Sequence, residues 1–263
     1  MNERVDIRIE GHVAEVMLNR PDKFNALDVD MFLAVGDAAR RLAEEKPVRA
    51  VILHGAGDNF CAGIDLGVMQ AGAESLAEAL LAPVEGSPAN VAQQAAYAWR
   101  ALPMPVICAV RGIAFGGGFQ IAMGADLRYA APNAQFSIME SKWGLIPDMA
   151  ISTTLRDLVP PDRIKELAFT AAVIGAQEAL GLGLVTRIED DPLAAAREMA
   201  ATIADRSPDA IRGIKRLVNE SWSRSEADAL ALEMAIQKAI LTGPNQAEAV
   251  LASLAKRRAN YRD

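Results

Sequence analysis

The residues whose types and spacing could carry chemistry lie between Pro105 and Met149: the glycine triplet Gly116 to Gly118, and after it Gln120, Glu140 and Asp148. Glycines that open a helix let the backbone approach a ligand closely. They also leave the first amide N–H groups unpaired at the end of the helix that carries about half a positive charge. Such donors suit a developing oxyanion. The same triplet is equally what a helix needs simply to pack tightly on a sheet, and it lacks the glycine spacing of a dinucleotide fingerprint. Glu140 lies beside apolar Met139 and Trp143. A carboxyl buried there would have a raised pKa, which suits proton exchange; a loop glutamate in water is the plain alternative. Asp148 precedes a helical segment and could be its N-cap.

Two strands must position these groups. Val106 to Val110 is β-branched and bounded by Pro105 and Gly112, the pattern of a strand buried on both faces. Val51 to Leu53 is another, followed by GAGDNFCAGIDL, a glycine-rich turn ending at Ala62, Gly63, Ile64 and Asp65. Two strand-to-turn junctions could each aim one backbone N–H at a single carbonyl oxygen.

FCAGIDL, followed by AVRGIAFGGGFQIAMGADLRYAAPNAQF, resembles the crotonase superfamily of enoyl-CoA hydratases and isomerases; LNRPDKFNALD and GLVTRI extend the likeness over nearly the whole chain. The resemblance implies an α/β fold: a ββα spiral core over residues 1–191, and a helical region over 192–263 that assembles a homotrimer or a dimer of trimers. It implies that the N–H groups of Ile64 and Gly117 hold a thioester oxygen. Lys23, Phe24, Ala26, Ala62, Asp65 and Leu66 would border the CoA thioester, with Lys23 toward the adenosine and phosphate end; Asp65 could instead cap the turn or helix that follows it. CoA enters as part of the substrate, with no other cofactor and no metal.

Among the candidate catalytic residues, Glu140 matches the family's second catalytic carboxylate, and Gln120 is the departure. Typical hydratases have a glutamate there, twenty residues before Glu140. Gln can hold a water but cannot accept a proton at neutral pH. Asp148 offers compensation, because dienoyl-CoA isomerases place an aspartate eight residues after the glutamate, the spacing of Glu140 and Asp148. Such a pair could move a proton between carbons. The mechanistic preference is therefore double-bond isomerisation. Hydration of a 2-enoyl-CoA by Glu140, with Gln120 holding the water, is the alternative. A non-catalytic acyl-CoA-binding protein is the reading of another class.

A formal net charge of −7 argues against a nucleic-acid surface. Cys61 and Cys108 are the two cysteines, and both sit in apolar surroundings that suggest reduced, buried thiols. A nucleophilic Cys61 would need a basic partner, and neither His12 nor His54 is near it in sequence. No stretch reads as a secretory signal or reaches the ~18–20 apolar residues of a membrane helix, so the expected setting is cytoplasmic.

The remaining pattern predicts a hairpin over Val5 to Glu10 and Val13 to Leu18, and a helix from Val29 capped by Asp28. It predicts a helical, partly mobile insert from Gly67 to Asn90 and a helix over Val91 to Leu102. Helices run from Asp162 to Thr170 and then from Leu193 to Asp205, Pro208 to Glu220, Ser225 to Leu241 and Asn245 to Arg258.

Overall fold

The computed structural model describes residues 4–69 and 72–263. The alternating pattern at the start forms β1 (Val5–Glu10) and β2 (Val13–Leu18), an antiparallel hairpin pairing Val5 with Leu18 and Glu10 with Val13. The alternation in β2 sends Ala14, Val16 and Leu18 into the core. Asp28 caps α1 (Val29–Glu44) by accepting the Met31 N–H at 2.9 Å. β3 (Ala50–Gly55) then lies parallel to β2.

The expected insert is helical at α2 (Leu66–Met69) and α3 (Ala73–Leu80), while residues 70–71 fall outside the described part. α4 (Val91–Ala101) begins with a reciprocal capping box between Asn90 and Gln93. After it come β4 (Val106–Val110), β5 (Ile113–Phe115), α5 (Gly117–Met123), β6 (Leu127–Ala130) and β7 (Gln135–Ser137). Next are α6 (Ile151–Thr154), α7 (Pro161–Thr170), β8 (Ile174–Gly175), α8 (Ala176–Gly181) and β9 (Arg187–Ile188). The chain closes with α9 (Pro192–Ala204), α10 (Pro208–Ser221), α11 (Glu226–Leu241) and α12 (Pro244–Leu254). α12 stops before the expected Arg258, and Lys256 turns the chain away with φ 51.

Two sheets share these strands. The larger runs in the order β1-β2-β3-β4-β6-β9 and is parallel from β2 onward; the smaller is β5-β7-β8. Each pass of the chain leaves one strand in each sheet: β4 then β5, β6 then β7, β8 then β9. This is the expected ββα spiral. Its central strand β4 is buried along its whole length, as the unbroken run VICAV requires.

One face of the large sheet packs on α1, α4 and α5 in the main core. The other face, through Ile52, Ile107 and Tyr129, is covered by Ala196 and Ala200 of α9. α10 is tied to the core by an ion. Lys215 Nζ, almost fully buried, donates to Trp99 O at 3.1 Å, Met104 O at 3.0 Å and Asp126 Oδ2 at 2.7 Å. All three ammonium protons are thereby satisfied, the condition under which a buried cation is tolerated. Lys215→Ala should lower the free energy of unfolding by about 3 kcal/mol in urea titration, because two carbonyls lose this donor and Asp126 Oδ2 keeps only the Val106 N–H. A loss below about 1 kcal/mol, the worth of an exposed pair, would show that the site admits water.

Candidate active site

The first wall of the site is the turn after β3, and the backbone staples it down. Cys61 N–H donates to Ile113 O at 3.0 Å and Phe115 N–H donates to Cys61 O at 3.0 Å, so the turn runs alongside β5. Gly63 has φ +87, and a Cβ there would lie 2.7 Å from Phe115 O and 3.4 Å from Gly117 N. Only glycine fits, and the turn is held against the start of α5. A Cβ on Gly118 would lie 2.4 Å from Cys61 O. Both readings of the triplet therefore hold: Gly118 is there for packing, while Gly117 opens the helix beside Gly63.

Leu27 brackets Ile64 from the other side, donating to Gly63 O at 2.8 Å and accepting from Asp65 N at 2.9 Å. Among the described residues the amide N–H groups of Ile64 and Gly117 make no hydrogen bond. Two unpaired donors on adjoining turns, one at a helix N-terminus, can bind a single oxyanion.

The loop from Arg20 to Asp28 holds Leu27 in place. Asn25 is fully buried with φ 55; its Nδ2 donates to Ala56 O and Asn59 O, and its Oδ1 accepts from Arg20 N. Arg20 reaches Asp65 at 2.7 Å, and Asp65 also accepts the Gly67 N–H at 2.9 Å. The Gly67 amide, and after it the Arg20 guanidinium, hold the Asp65 carboxyl below its usual range. Asp65 is thereby committed to its own turn. Arg20 and Asn25 were not among the candidates, although both lie inside the LNRPDKFNALD motif; an arginine and an asparagine flanking a proline turn were the available signal.

The chemistry-bearing side chains converge on one cleft of about 610 Å³. Lys23, Ala26, Ala62, Asp65 and Leu66 line it, and so do Ile64, Gly117, Glu140 and Asp148. Phe24 and Gln120 do not line it, in contrast to what the resemblance implies for them. Phe24 sits in the left-handed region and is 56% exposed. Gln120 is fully buried: its Oε1 accepts from Met149 N at 2.8 Å and its Nε2 donates to Glu140 Oε1 at 2.6 Å. The expectation that Gln120 holds a reacting water is corrected accordingly, because its amide is engaged behind Glu140, outside the cleft.

Glu140 opens a single 3-10 turn, Glu140–Trp143. Its Oε2 is shut off from bulk water and makes no hydrogen bond among the described residues. Burial pushes this carboxyl up; its own backbone N–H and the Gln120 amide offset part of that, and the charge of Asp148 adds to it. Asp148 is no helix cap. α6 begins at Ile151 with Ala150 before it, at φ 65, and no side chain caps it. Asp148 instead opens onto the cleft, and the protein around it pushes its carboxyl up as well. Cys61 is excluded as a nucleophile: it is fully buried, its Sγ donates to Asn25 O at 3.1 Å, and burial pushes its thiol up to about 12.

Residues 8–263 match the family model described as enoyl-CoA hydratase/isomerase. The chain belongs to that family. A crotonyl-CoA hydratase from Syntrophomonas wolfei is 32% identical over 263 residues, covering 98% of both chains. A carnitinyl-CoA dehydratase from Salmonella typhi is 33% identical over 220 residues, 82% of this chain and 80% of that protein. Among solved structures, an enoyl-CoA hydratase from Polaromonas superposes with a TM-score of 0.88 at 31% identity, over 98% of this chain and 99% of the other. One from Bacillus anthracis gives a TM-score of 0.90 at 28% identity over 98% of each. The spiral with its C-terminal helices is thus the crotonase-type fold.

Asp148→Asn separates a cleft carboxylate from a cap. A raised carboxyl pKa in the folded state means that ionisation costs stability as pH rises through that value, a cost absent below the ordinary aspartate range. The amide variant should therefore melt at the wild-type temperature or slightly above at pH 7, a change within about 0.5 kcal/mol for so exposed a side chain. A loss of about 1 kcal/mol would instead be the mark of a removed N-cap.

Proposed function

We propose that this family member catalyses the reversible addition of water across the C2=C3 bond of an enoyl-CoA. What carries the reading is the convergence on one cleft of two unpaired amide donors and two carboxyls with raised pKa, between otherwise apolar walls. The hydratase and dehydratase relatives favour water chemistry over bond migration. The thioester oxygen lies on the N–H groups of Ile64 and Gly117, which draw electrons out of the conjugated system and hold the enolate oxygen. Each such donor is worth roughly 3–4 kcal/mol in a transition state. Asp148 takes a proton from water as its oxygen bonds to C3, and Glu140 gives its proton to C2. CoA is part of the substrate, and the reading uses no further cofactor.

The lining also bears on the acyl group. Among the described residues its charged members are Lys23, Asp65, Glu140 and Asp148, and the remainder are apolar or glycine. Asp65 is bound to Arg20 and Gly67, which leaves exposed Lys23 for the phosphates of CoA. Leu76 and Leu80 of α3, with Phe32 and Ala92, suit a plain hydrocarbon acyl chain.

One observation favours a second reading, isomerisation of a 3-enoyl-CoA: Gln at position 120 combined with Asp148 on the cleft. The two differ in sign. A hydratase bleaches the conjugated absorbance of a 2-enoyl-CoA and yields a 3-hydroxyacyl product, whereas an isomerase creates that absorbance. Binding without any turnover would point instead to an acyl-CoA-binding protein.

We also propose that residues 192–263 serve assembly as a homotrimer or dimer of trimers, given exposed Trp222 just after α10 and exposed Leu254 on α12. Sedimentation of a monomer at micromolar concentration would dismiss this.

Glu140→Gln should lower turnover of crotonyl-CoA by about 10²–10⁴-fold while leaving its binding intact; retained turnover would remove Glu140 from the mechanism. The pH profile of kcat/KM should be a bell. Its acid limb needs the base ionised and its alkaline limb needs the acid protonated. Because both carboxyls are pushed up, both limbs should lie above the ordinary carboxylate range, and they belong to the pair rather than to either residue. An acid limb at the ordinary aspartate value would exclude this pair.

A further inference from the structure

In a parallel bridge the peptide groups flanking a residue bond to the partner strand, and the residue's own N–H faces the other edge. Ile64 is such a residue. Gly63 O, before it, accepts the Leu27 N–H at 2.8 Å, and the Asp65 N–H, after it, donates to Leu27 O at 2.9 Å. The Ile64 N–H is therefore turned away from Leu27, toward the side on which the turn abuts β5 and the start of α5. Leu27 sets that direction, yet it pairs with the turn as an isolated bridge. Left-handed Asn25 stands two residues before it, and Asp28 starts α1 directly after it. A bridge of one residue leaves its two segments free to pivot unless something holds them on both sides.

A single nitrogen does so. Arg20 Nη1 donates to Ala26 O at 3.1 Å, on the residue before Leu27, and lies 2.7 Å from Asp65 Oδ2, on the residue after Ile64. Asp28 Oδ2, on the residue after Leu27, is 3.5 Å away. The guanidinium thus reaches both segments within one residue of the bridge. Both acids have other partners. Arg4 bonds both oxygens of Asp28, which also caps α1 through Met31, and Asp65 accepts the Gly67 N–H. Arg20 itself does not line the cleft. We propose, on the oxyanion reading of the Ile64 and Gly117 amides, that Arg20 is a positioning residue of that site: by holding Ala26 and Asp65 together it locks the Leu27–Ile64 bridge and keeps the Ile64 N–H aimed at the thioester oxygen.

The test reads the donors directly. Butyryl-CoA carrying carbon-13 at the thioester carbonyl has no double bond to react, and the downshift of its isotope-edited infrared C=O band on binding measures how strongly the oxygen is held. In Arg20→Met the downshift should shrink. Turnover of crotonyl-CoA should fall by about 10²-fold, the scale of losing one oxyanion donor, with the loss in kcat and little change in KM. The dissociation constant of CoA, which has no thioester oxygen, should be unchanged. Arg20→Lys should restore most of the downshift and of the turnover, because one nitrogen makes all of these contacts. An ion pair that served stability alone would change the folded fraction and leave the band of the bound ligand where it is.

A wild-type downshift with wild-type turnover in folded Arg20→Met would overturn the proposal. So would weakened CoA binding with an unmoved band, which would make Arg20 part of the CoA site instead. If near-ultraviolet circular dichroism shows Arg20→Met to be unfolded, Asp65→Asn decides. Its amide oxygen can still accept the Gly67 N–H, but its NH2 meets Arg20 donor to donor. The downshift should shrink there too, and an unmoved band with wild-type turnover would again overturn the proposal. A wild-type protein that leaves the carbonyl band of bound butyryl-CoA unshifted would overturn the oxyanion reading itself, and the role of Arg20 with it; a downshift kept by every variant would overturn the role of Arg20 alone.

Discussion

The structure depends on one close approach of backbone to backbone: the turn after β3 laid against β5 and the first turn of α5. Two hydrogen bonds through Cys61 register it, and Gly63 and Gly118 remove the Cβ atoms that would hold the two segments apart. The spiral topology makes this possible, because β3 and β4 are parallel neighbours whose exits are both sent toward the small sheet. Everything at the site follows from that juxtaposition. The N–H groups of Ile64 and Gly117 are left over once the staple is made. The surrounding loops, with Asn25, Arg20 and Asp65, act to keep them left over.

A site of this kind runs against the ordinary rules of stability. Unpaired amides and a nearly buried carboxylate oxygen are groups a folded protein normally satisfies, and here they sit together in an apolar cleft. Their cost is met by the rest of the fold: a sheet covered on both faces and the fully satisfied Lys215 beneath α10. The contrast between Lys215 and Glu140 is instructive. Both are buried ionisable groups, but Lys215 has a partner for every proton, whereas Glu140 has one oxygen bound and one unbound. The first is fully satisfied within the fold, and the second is not.

How much of this was legible in the sequence varied with the range of the interaction. Elements set by local pattern were read closely: the hairpin, the Asp28 cap and the strand at Val106–Val110. The glycine turns were visible because glycine alone tolerates their geometry, and the order of the two motifs was specific enough to imply the spiral. What local pattern could not give was the direction of side chains fixed by distant partners. Gln120 was read as facing the substrate because its position in the motif suggested it, but its orientation is set by a backbone N–H at Met149, across a loop of irregular structure. Asp148 was ambiguous for the same reason: whether it caps a helix depends on where α6 begins, and a left-handed Ala150 delays that start. Phe24 lies in a motif whose neighbours Lys23 and Ala26 line the cleft, and its own backbone is left-handed.

These positions share a location, and that location has a physical meaning. Left-handed backbone at Phe24, Asn25 and Ala150, positive φ at Gly63 and Gly116, and half-satisfied polar groups at Glu140 are all places where local preference and final structure disagree. Such disagreement is costly, so it persists only where the surrounding contacts over-determine it. Around this cleft the over-determination is visible. Asn25 makes three hydrogen bonds to hold its turn, and Gln120 makes two that pin Glu140 and the segment after Asp148 together. The stretches where sequence logic breaks down are therefore the ones the fold spends its polar contacts enforcing, and they outline the site as sharply as the glycine motifs do.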